Sequence, residues 1–239
     1  MIALRKAPSS YDERFMDTMA NEYLERTPWT ELRLEAVRDL VDPQPGDRIL
    51  DLGCAAGAIT HFLWSFGADA VGIDFEQLAI AKARELFPQC AFEVADATAL
   101  PFADASFDKA VAADFVEHIR DDVFLAMCSE LQRVLVPGGT FAVYAPNPRH
   151  LIERMKERDF VLAQNPTHIG LRNADHMTRC SSRVASASCG ASGGRASSAG
   201  SARSRRSQGR GSTCFAIASA CSRRACSRRR RRVSERRSS

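Results

Sequence analysis

The segment Ile49-Leu50-Asp51-Leu52-Gly53-Cys54-Ala55-Ala56-Gly57 constrains the fold of this chain more than any other. An apolar run ends in a glycine-cornered turn and opens directly into a helical pattern. Gly53 has no Cβ, so the backbone can turn sharply there and a ligand can come close. Gly57 lets the following helix pack tightly, and the N–H groups at the start of that helix can hold a carboxylate. Dinucleotide-binding enzymes use G-x-G-x-x-G, because their backbone must approach a pyrophosphate. Here the loop reads G-C-A-A-G, with Ala55 where the second glycine would stand. That suits a ligand without a phosphate bridge. Taken alone, the segment also fits a glycine turn in some other α/β protein.

Around this turn, strand-like runs alternate with helical patterns. Strands are expected at Arg48–Leu52, Ala70–Ile73, Ala91–Ala95, Phe107–Ala113 and Thr140–Tyr144, and helices at Ala58–Phe66, Glu76–Phe87 and Asp121–Leu135. Strand–helix–strand units of this length imply right-handed crossovers and a parallel sheet covered on both faces. The expected fold is therefore α/β, a Rossmann-like doubly wound parallel sheet. Ahead of it, Tyr11–Arg26 reads as an amphipathic helix with Phe15, Met19 and Leu24 on one side. Pro28 and Trp29 break it. Thr30 can cap a second helix running to Val41, with Leu32, Val37, Leu40 and Val41 facing inward. A further helix is expected over Arg149–Phe160.

The chain changes character near residue 179. Residues 1–179 carry 18 Lys+Arg and 28 Asp+Glu, whereas residues 180–239 carry 15 Arg, no Lys and one acid. Those last sixty residues include 17 Ser and no Leu, too little apolar surface to offset the entropy of ordering. The domains expected are an N-terminal helical cap over 1–44, a cofactor-binding domain over 45–178 and a low-complexity basic tail over 179–239. The tail is expected to be disordered or an out-of-frame translation of a GC-rich gene. The second origin accounts for arginine without lysine. A basic tail that binds nucleic acid is the alternative. On this reading the final two strands of the sheet are missing and strand four or five is left as an open apolar edge. Cys54, Cys90 and Cys128 show no pairing or metal spacing, and no metal site is expected. There is no apolar run of 18 residues. These features imply reduced thiols and a cytoplasmic protein.

Two acids repeat the position of a strand end. Asp74 closes Val71-Gly72-Ile73-Asp74-Phe75, 21 residues after Gly53. An acid there can accept hydrogen bonds from both ribose hydroxyls, or can cap the helix that follows. Asp96 closes Phe92-Glu93-Val94-Ala95-Asp96-Ala97. Further on stand Phe107-Asp108, then Asp114-Phe115-Val116-Glu117-His118-Ile119, then Leu135-Val136-Pro137-Gly138-Gly139.

ILDLGCAAG, VGIDFE, VADATALPF, SFDKAV, EHI and LVPGG, in this order, resemble the motif series of class I S-adenosylmethionine-dependent methyltransferases of the small-molecule, quinone-biosynthesis type. The resemblance covers about residues 11–178. It implies S-adenosyl-L-methionine as cofactor and a small-molecule methyl acceptor. By the same resemblance, Asp51, Gly53, Cys54 and Ala55, with Gly57 behind them, would hold the methionine part. Asp74 would hold the ribose, and Phe75 would lie near the adenine. Asp96 and Ala97 would meet the adenine edge, and Asp114 and Phe115 would line the methyl-donor pocket. Tyr11 and Arg14 on the first helix could close over the cofactor.

His118 is the first candidate for a catalytic base, since it lies past strand four at the carboxyl edge where ligands bind in open α/β sheets. It could instead cap or pack the next helix. His150 and His168 are weaker candidates on flanking segments. Tyr144, Asn147 and His150 are candidates to border the acceptor. A relative that binds the cofactor without catalysis, and a nucleic-acid protein acting through the tail, remain alternatives. The acidic body argues against the second, as does the absence of an Asn/Asp-Pro-Pro-aromatic motif after strand four. The sequence names neither the acceptor nor the oligomeric state.

Overall fold

A computed structural model describes residues 13–146, 168–173, 175–177 and 214–218. Two helices come first, α1 (Glu13–Leu24) and α2 (Pro28–Val41). Then follow β1 (Arg48–Leu52), α3 (Ala58–Trp64), β2 (Asp69–Asp74), α4 (Gln77–Leu86), β3 (Ala91–Val94) and β4 (Phe107–Ala113). A 3-10 turn (Val116–His118), α5 (Asp121–Val134), β5 (Leu135–Tyr144) and β6 (Cys214–Ala218) complete the described elements. The sheet order is β3-β2-β1-β4-β5-β6, with the first five strands parallel. The chain winds outward from β1 to β3, then returns to the other side of β1 to form β4. The order therefore reverses between β1 and β4, and ligands in such sheets bind at the carboxyl ends of the strands beside that reversal.

Alternation along the strands separates the two faces. Leu50 and Leu52 of β1, Ala110 and Ala112 of β4, and Phe141 and Val143 of β5 pack with Phe124, Met127 and Leu131 of α5. Ile49, Val111 and Ala142 point the other way, onto Leu34, Val37 and Val41 of α2 and Ile59 and Leu63 of α3. Ile80, Ala83 and Phe87 of α4 close over Cys54 and Phe92. Fifteen or more such side chains, each contributing about 1.5–3 kcal/mol on burial, make this sandwich the main source of stability.

The expected strands and sheet helices all form, with small shifts at their ends. Three local readings are corrected. Thr27, not Thr30, caps α2, because Pro28 occupies the first helical position, where a missing N–H costs nothing. Thr30 is buried inside the first turn, with its hydroxyl on the Glu22 carbonyl at 3.1 Å. Leu32 is 59% exposed, because the inward stripe is Leu34, Val37 and Val41, and Leu32 lies off it. Leu24 is likewise exposed.

The Leu135–Thr140 turn becomes part of β5. Phe107 pairs with Leu135 and Lys109 with Thr140, so Val136–Gly139 bulge out of the ladder. The tail also contributes to the sheet: β6 runs antiparallel to β5, pairing Ala218 with Thr140 and Cys214 with Tyr144. The β5 edge expected to lie open is therefore covered over these five residues. The reason is local: Cys-Phe-Ala-Ile-Ala is an apolar, partly β-branched run in a text of Arg, Ser and Gly. The expected helix at Arg149–Phe160 lies outside the described residues. No helix among the described residues is long and apolar enough to cross a membrane.

Candidate functional site

The site gathers where β1 and β4 end. Asp51, on the α3 face of β1, is 1% exposed and accepts a hydrogen bond from Thr60 Oγ1 at 2.6 Å. Burial pushes its carboxyl up to about 7, a shift that the Thr60 bond opposes and the Asp74 charge reinforces. The chain then turns. Gly53 N–H and Cys54 N–H both donate to the Ile73 carbonyl at 2.9 Å, so the turn is laced to β2. Gly53 has φ +70°, and a Cβ there would stand 2.5 Å from the Phe115 ring. Ala55 holds φ +46° without being glycine, a strained conformation. Gly57 precedes the first residue of α3. Cys54 is buried, and burial raises its thiol well above the ordinary range, so it packs as a small apolar group.

Asp74 ends β2 with its carboxylate turned to the glycine turn. Oδ2 accepts from Ala55 N–H at 3.1 Å and Oδ1 from Glu76 N–H at 3.0 Å. The helix-start role weighed for Asp74 is thus filled by one oxygen, while the other faces the turn. Burial raises its pKa, against the two backbone bonds. Phe75 beside it is 47% exposed, a large apolar ring left on the surface. Asp96 is exposed, and its Oδ1 accepts from both the N–H and the hydroxyl of Thr98 at 2.8 Å. Ala97 packs against the α5-side core.

Across the reversal, Asp114 follows β4 with φ +51°, and its N–H donates to the Tyr144 carbonyl at 2.8 Å. Its carboxylate pairs with Arg33 Nε of α2 at 3.0 Å. Arg33 also reaches the Tyr23 hydroxyl at 2.9 Å. Burial raises the Asp114 pKa, while Arg33 and His118 pull it down. Burial pushes Tyr23 up to about 12, with Arg33 opposing. The N-terminal helices therefore do lie over the site, through Arg33 and Tyr23. Neither was a candidate, because nothing in the local pattern of α2 sets Arg33 apart from its other charges. Tyr11 and the side chain of Arg14 lie outside the described residues, as do Asn147 and His150.

His118 ends the 3-10 turn, its ring packed edge-on against His168 with centroids 5.0 Å apart. Buried Glu117 adjoins them: one ligand atom from each of Glu117, His118 and His168 lies within 4.8 Å of the others. No metal cluster was expected, since three residues from two distant segments share no spacing pattern. The segment carrying His168 is fastened by Arg172, which is 4% exposed. Arg172 donates to the carbonyls of Val116 at 2.6 Å, Gly170 at 2.8 Å and Ile119 at 2.7 Å, and pairs with Asp121 at 2.7 Å. A groove of about 430 Å³ lies between Arg120–Asp122 and Ile169–Arg172, and none of the residues expected to hold the cofactor lines it.

The site fits a phosphate-free, cationic nucleoside. Asp51–Gly57, Asp74–Glu76 and Asp96–Thr98 contain no Lys or Arg to meet a phosphate, and carry acids at all three strand ends. An exposed aromatic ring, Phe75, stands beside Asp74. A nucleoside-binding Rossmann-like domain is the class that this sheet and turn define.

The methyltransferase-domain family matches residues 49–139. A demethylmenaquinone methyltransferase of Beutenbergia cavernae is 37% identical over 108 residues, which cover 45% of this chain and 44% of that protein. The chloroplastic tocopherol O-methyltransferase of Arabidopsis thaliana is 32% identical over 119 residues, covering 47% and 34%. The chain thus spans less than half the length of these relatives. The PH0226 protein of Pyrococcus horikoshii shares the fold, with a TM-score of 0.61 at 20% identity over 84% of this chain and 93% of that one. Residues 49–139 are thus similar to the methyltransferase domain, the resemblance that the motif series implied.

Proposed function

We propose that this chain transfers the methyl group of S-adenosyl-L-methionine to a small-molecule acceptor. The observation that carries the reading is the placement of Asp74: a carboxylate at the end of β2, 3.1 Å from the N–H of Ala55 in the glycine turn. Bound there, the cofactor supplies an activated sulfonium methyl and leaves as a neutral thioether. The residues then have separate tasks. Asp74 accepts from the ribose hydroxyls, Asp96 and Ala97 meet the adenine edge, and Phe75 covers its face. The turn from Gly53 to Gly57 holds the methionine end, with Asp51 beneath it. Asp114 and Phe115 wall the methyl side. Alignment of donor and acceptor is the main contribution, worth up to about 7–11 kcal/mol in well-oriented systems.

A base is required only where the acceptor is a weakly ionised hydroxyl or carbon acid. His118 sits at the right edge to take that proton. With the cofactor bound, its sulfonium would give up the methyl group to the acceptor's electron pair, and His118 would take the proton that the acceptor loses. Tyr144, at the end of β5, borders the acceptor. The excess of acids over residues 1–179 argues against a nucleic-acid substrate, and the reading is of a cytoplasmic protein.

Calorimetry with S-adenosylmethionine and S-adenosylhomocysteine tests the reading. Binding of both, weakened by Asp74→Ala, supports it, and the absence of binding to a folded sample overturns it. Product analysis should start with quinols and tocopherol-like phenols, the acceptors that the relatives' names carry.

A further inference from the structure

We propose that Glu117, His118 and His168 form a binding site for a first-row divalent cation of the zinc type. Two imidazoles and a carboxylate are a donor set that such ions take in sites that keep a position open for a further ligand. The three ligand atoms already lie within 4.8 Å of one another. Around a tetrahedral ion with bonds of about 2.0–2.2 Å they would stand about 3.3–3.6 Å apart, a closure of at most about 1.2–1.5 Å that side-chain rotation supplies.

The backbone around the cluster is fixed as such a site requires. Glu117 and His118 share one 3-10 turn, and the Gly170 N–H donates to the Glu117 carbonyl at 2.8 Å. A Cβ on Gly170 would collide with the Ile119 carbonyl, so only glycine permits this docking. Arg172 then binds the carbonyls of Val116 and Ile119, on either side of Glu117 and His118. The segment that brings His168 is in this way bolted to the turn that carries the other two donors. Glu117 is 2% exposed, so its carboxyl group is enclosed by the turn and the segment docked on it.

Glu117 and His118 lie just past β4, three and four residues after Asp114. An ion there would orient an oxygen-bearing acceptor such as a phenol or enol toward the methyl donor. This role rests on the methyl-transfer reading, whereas ion binding itself does not.

The test is a titration of the chelator-stripped full-length chain with Co²⁺, followed by its d–d absorption, and with Zn²⁺ by calorimetry, each with and without S-adenosylhomocysteine. One ion per chain is expected, in a spectrum without the thiolate charge-transfer band that tail cysteines would give. His168→Asn and Glu117→Gln should each weaken Co²⁺ binding by about 100-fold or more, beyond the 10–100-fold that outer-shell partners command. His118→Asn serves if either variant loses its far-ultraviolet dichroism. No stoichiometric ion in the unmodified chain, a thiolate-type spectrum, or affinity unchanged in folded variants overturns the proposal. Loss of S-adenosylhomocysteine binding with ion binding intact would instead count against the methyl-transfer reading alone.

Discussion

Asp74 and Ala55, nineteen residues apart, meet at 3.1 Å, carboxylate oxygen to backbone N–H. This bond helps to join the end of β2 to the turn after β1, and under the methyl-transfer proposal the same carboxylate is the ribose acceptor. Asp74→Ala removes two backbone acceptor contacts together with the ribose acceptor. Hydrogen bonds to a charged group contribute about 1.5–3 kcal/mol each, so S-adenosylhomocysteine affinity should fall roughly 10- to 150-fold. Asp74→Asn keeps the shape and loses the charge, and should fall between the two. Calorimetry of the three proteins checks the order.

The Phe115 ring fills the space that a side chain at position 53 would need. Gly53→Ala therefore meets two obstacles, a ring carbon 2.5 Å from the new Cβ and a φ of +70°. Overpacking and left-handed strain each cost about 1–3 kcal/mol. Urea unfolding of Gly53→Ala should show a loss in that summed range. Adding Phe115→Ala should recover the clash but not the strain, so the double variant should be more stable than the two single losses predict. Simple additivity would mean that the ring does not meet the turn as described.

Asp51 makes stability depend on pH. In the folded chain its carboxyl stays protonated up to about pH 7, against an ordinary value of 3.8, because it is buried. Between those values the folded state binds more protons than the unfolded state, so stability falls as pH rises. The contribution is fully present below about pH 4, is lost through about pH 7 and is constant above. The loss is at most about 4 kcal/mol, taking about 1.4 kcal/mol per unit. Asp74 and Asp114 shift in the same direction, so the useful quantity is the difference between the wild type and Asp51→Asn. That difference should flatten the slope between pH 4 and 7. Parallel pH curves for the two proteins would remove Asp51 as the cause.

The sheet and the positions of the acids at its strand ends were legible because they are local. Each strand end carries its acid within a few residues of the glycine or helix signal that announces it, as Asp51, Asp74 and Asp96 do. The acceptor side was not, because its contacts join distant segments. Arg33 reaches Asp114 across 81 positions, and Arg172 reaches Val116 across 56. No periodicity marks either arginine. His118 was a candidate by its place after β4, whereas Glu117 beside it drew no notice until His168 was seen against it. The edge strand Cys214–Ala218 escaped for the opposite reason: composition over sixty residues outweighed five that suit a strand.

Arg172 offers the sharpest test of how the acceptor side is held. It is buried, with three carbonyls and the Asp121 carboxylate around its guanidinium and the Phe124 ring 4.9 Å from it. Every one of these partners belongs to the 3-10 turn, the start of α5 or its own segment. Arg172→Met keeps the volume and leaves Asp121, itself partly in water, and three carbonyls without their donor. Breaking a buried charged contact by removing one partner costs about 3–5 kcal/mol, and the exposure of Asp121 places the expectation at the lower end. Arg172→Lys should lose nearly as much, since one ammonium cannot span the fork of acceptors that the guanidinium reaches. Chemical denaturation gives the stability, and hydrogen exchange at the Gly170 amide reports whether the segment has lifted from Glu117. A stable Arg172→Lys protein with Gly170 still protected would show that the segment is held by its apolar contacts, with Met177 foremost, and not by the arginine.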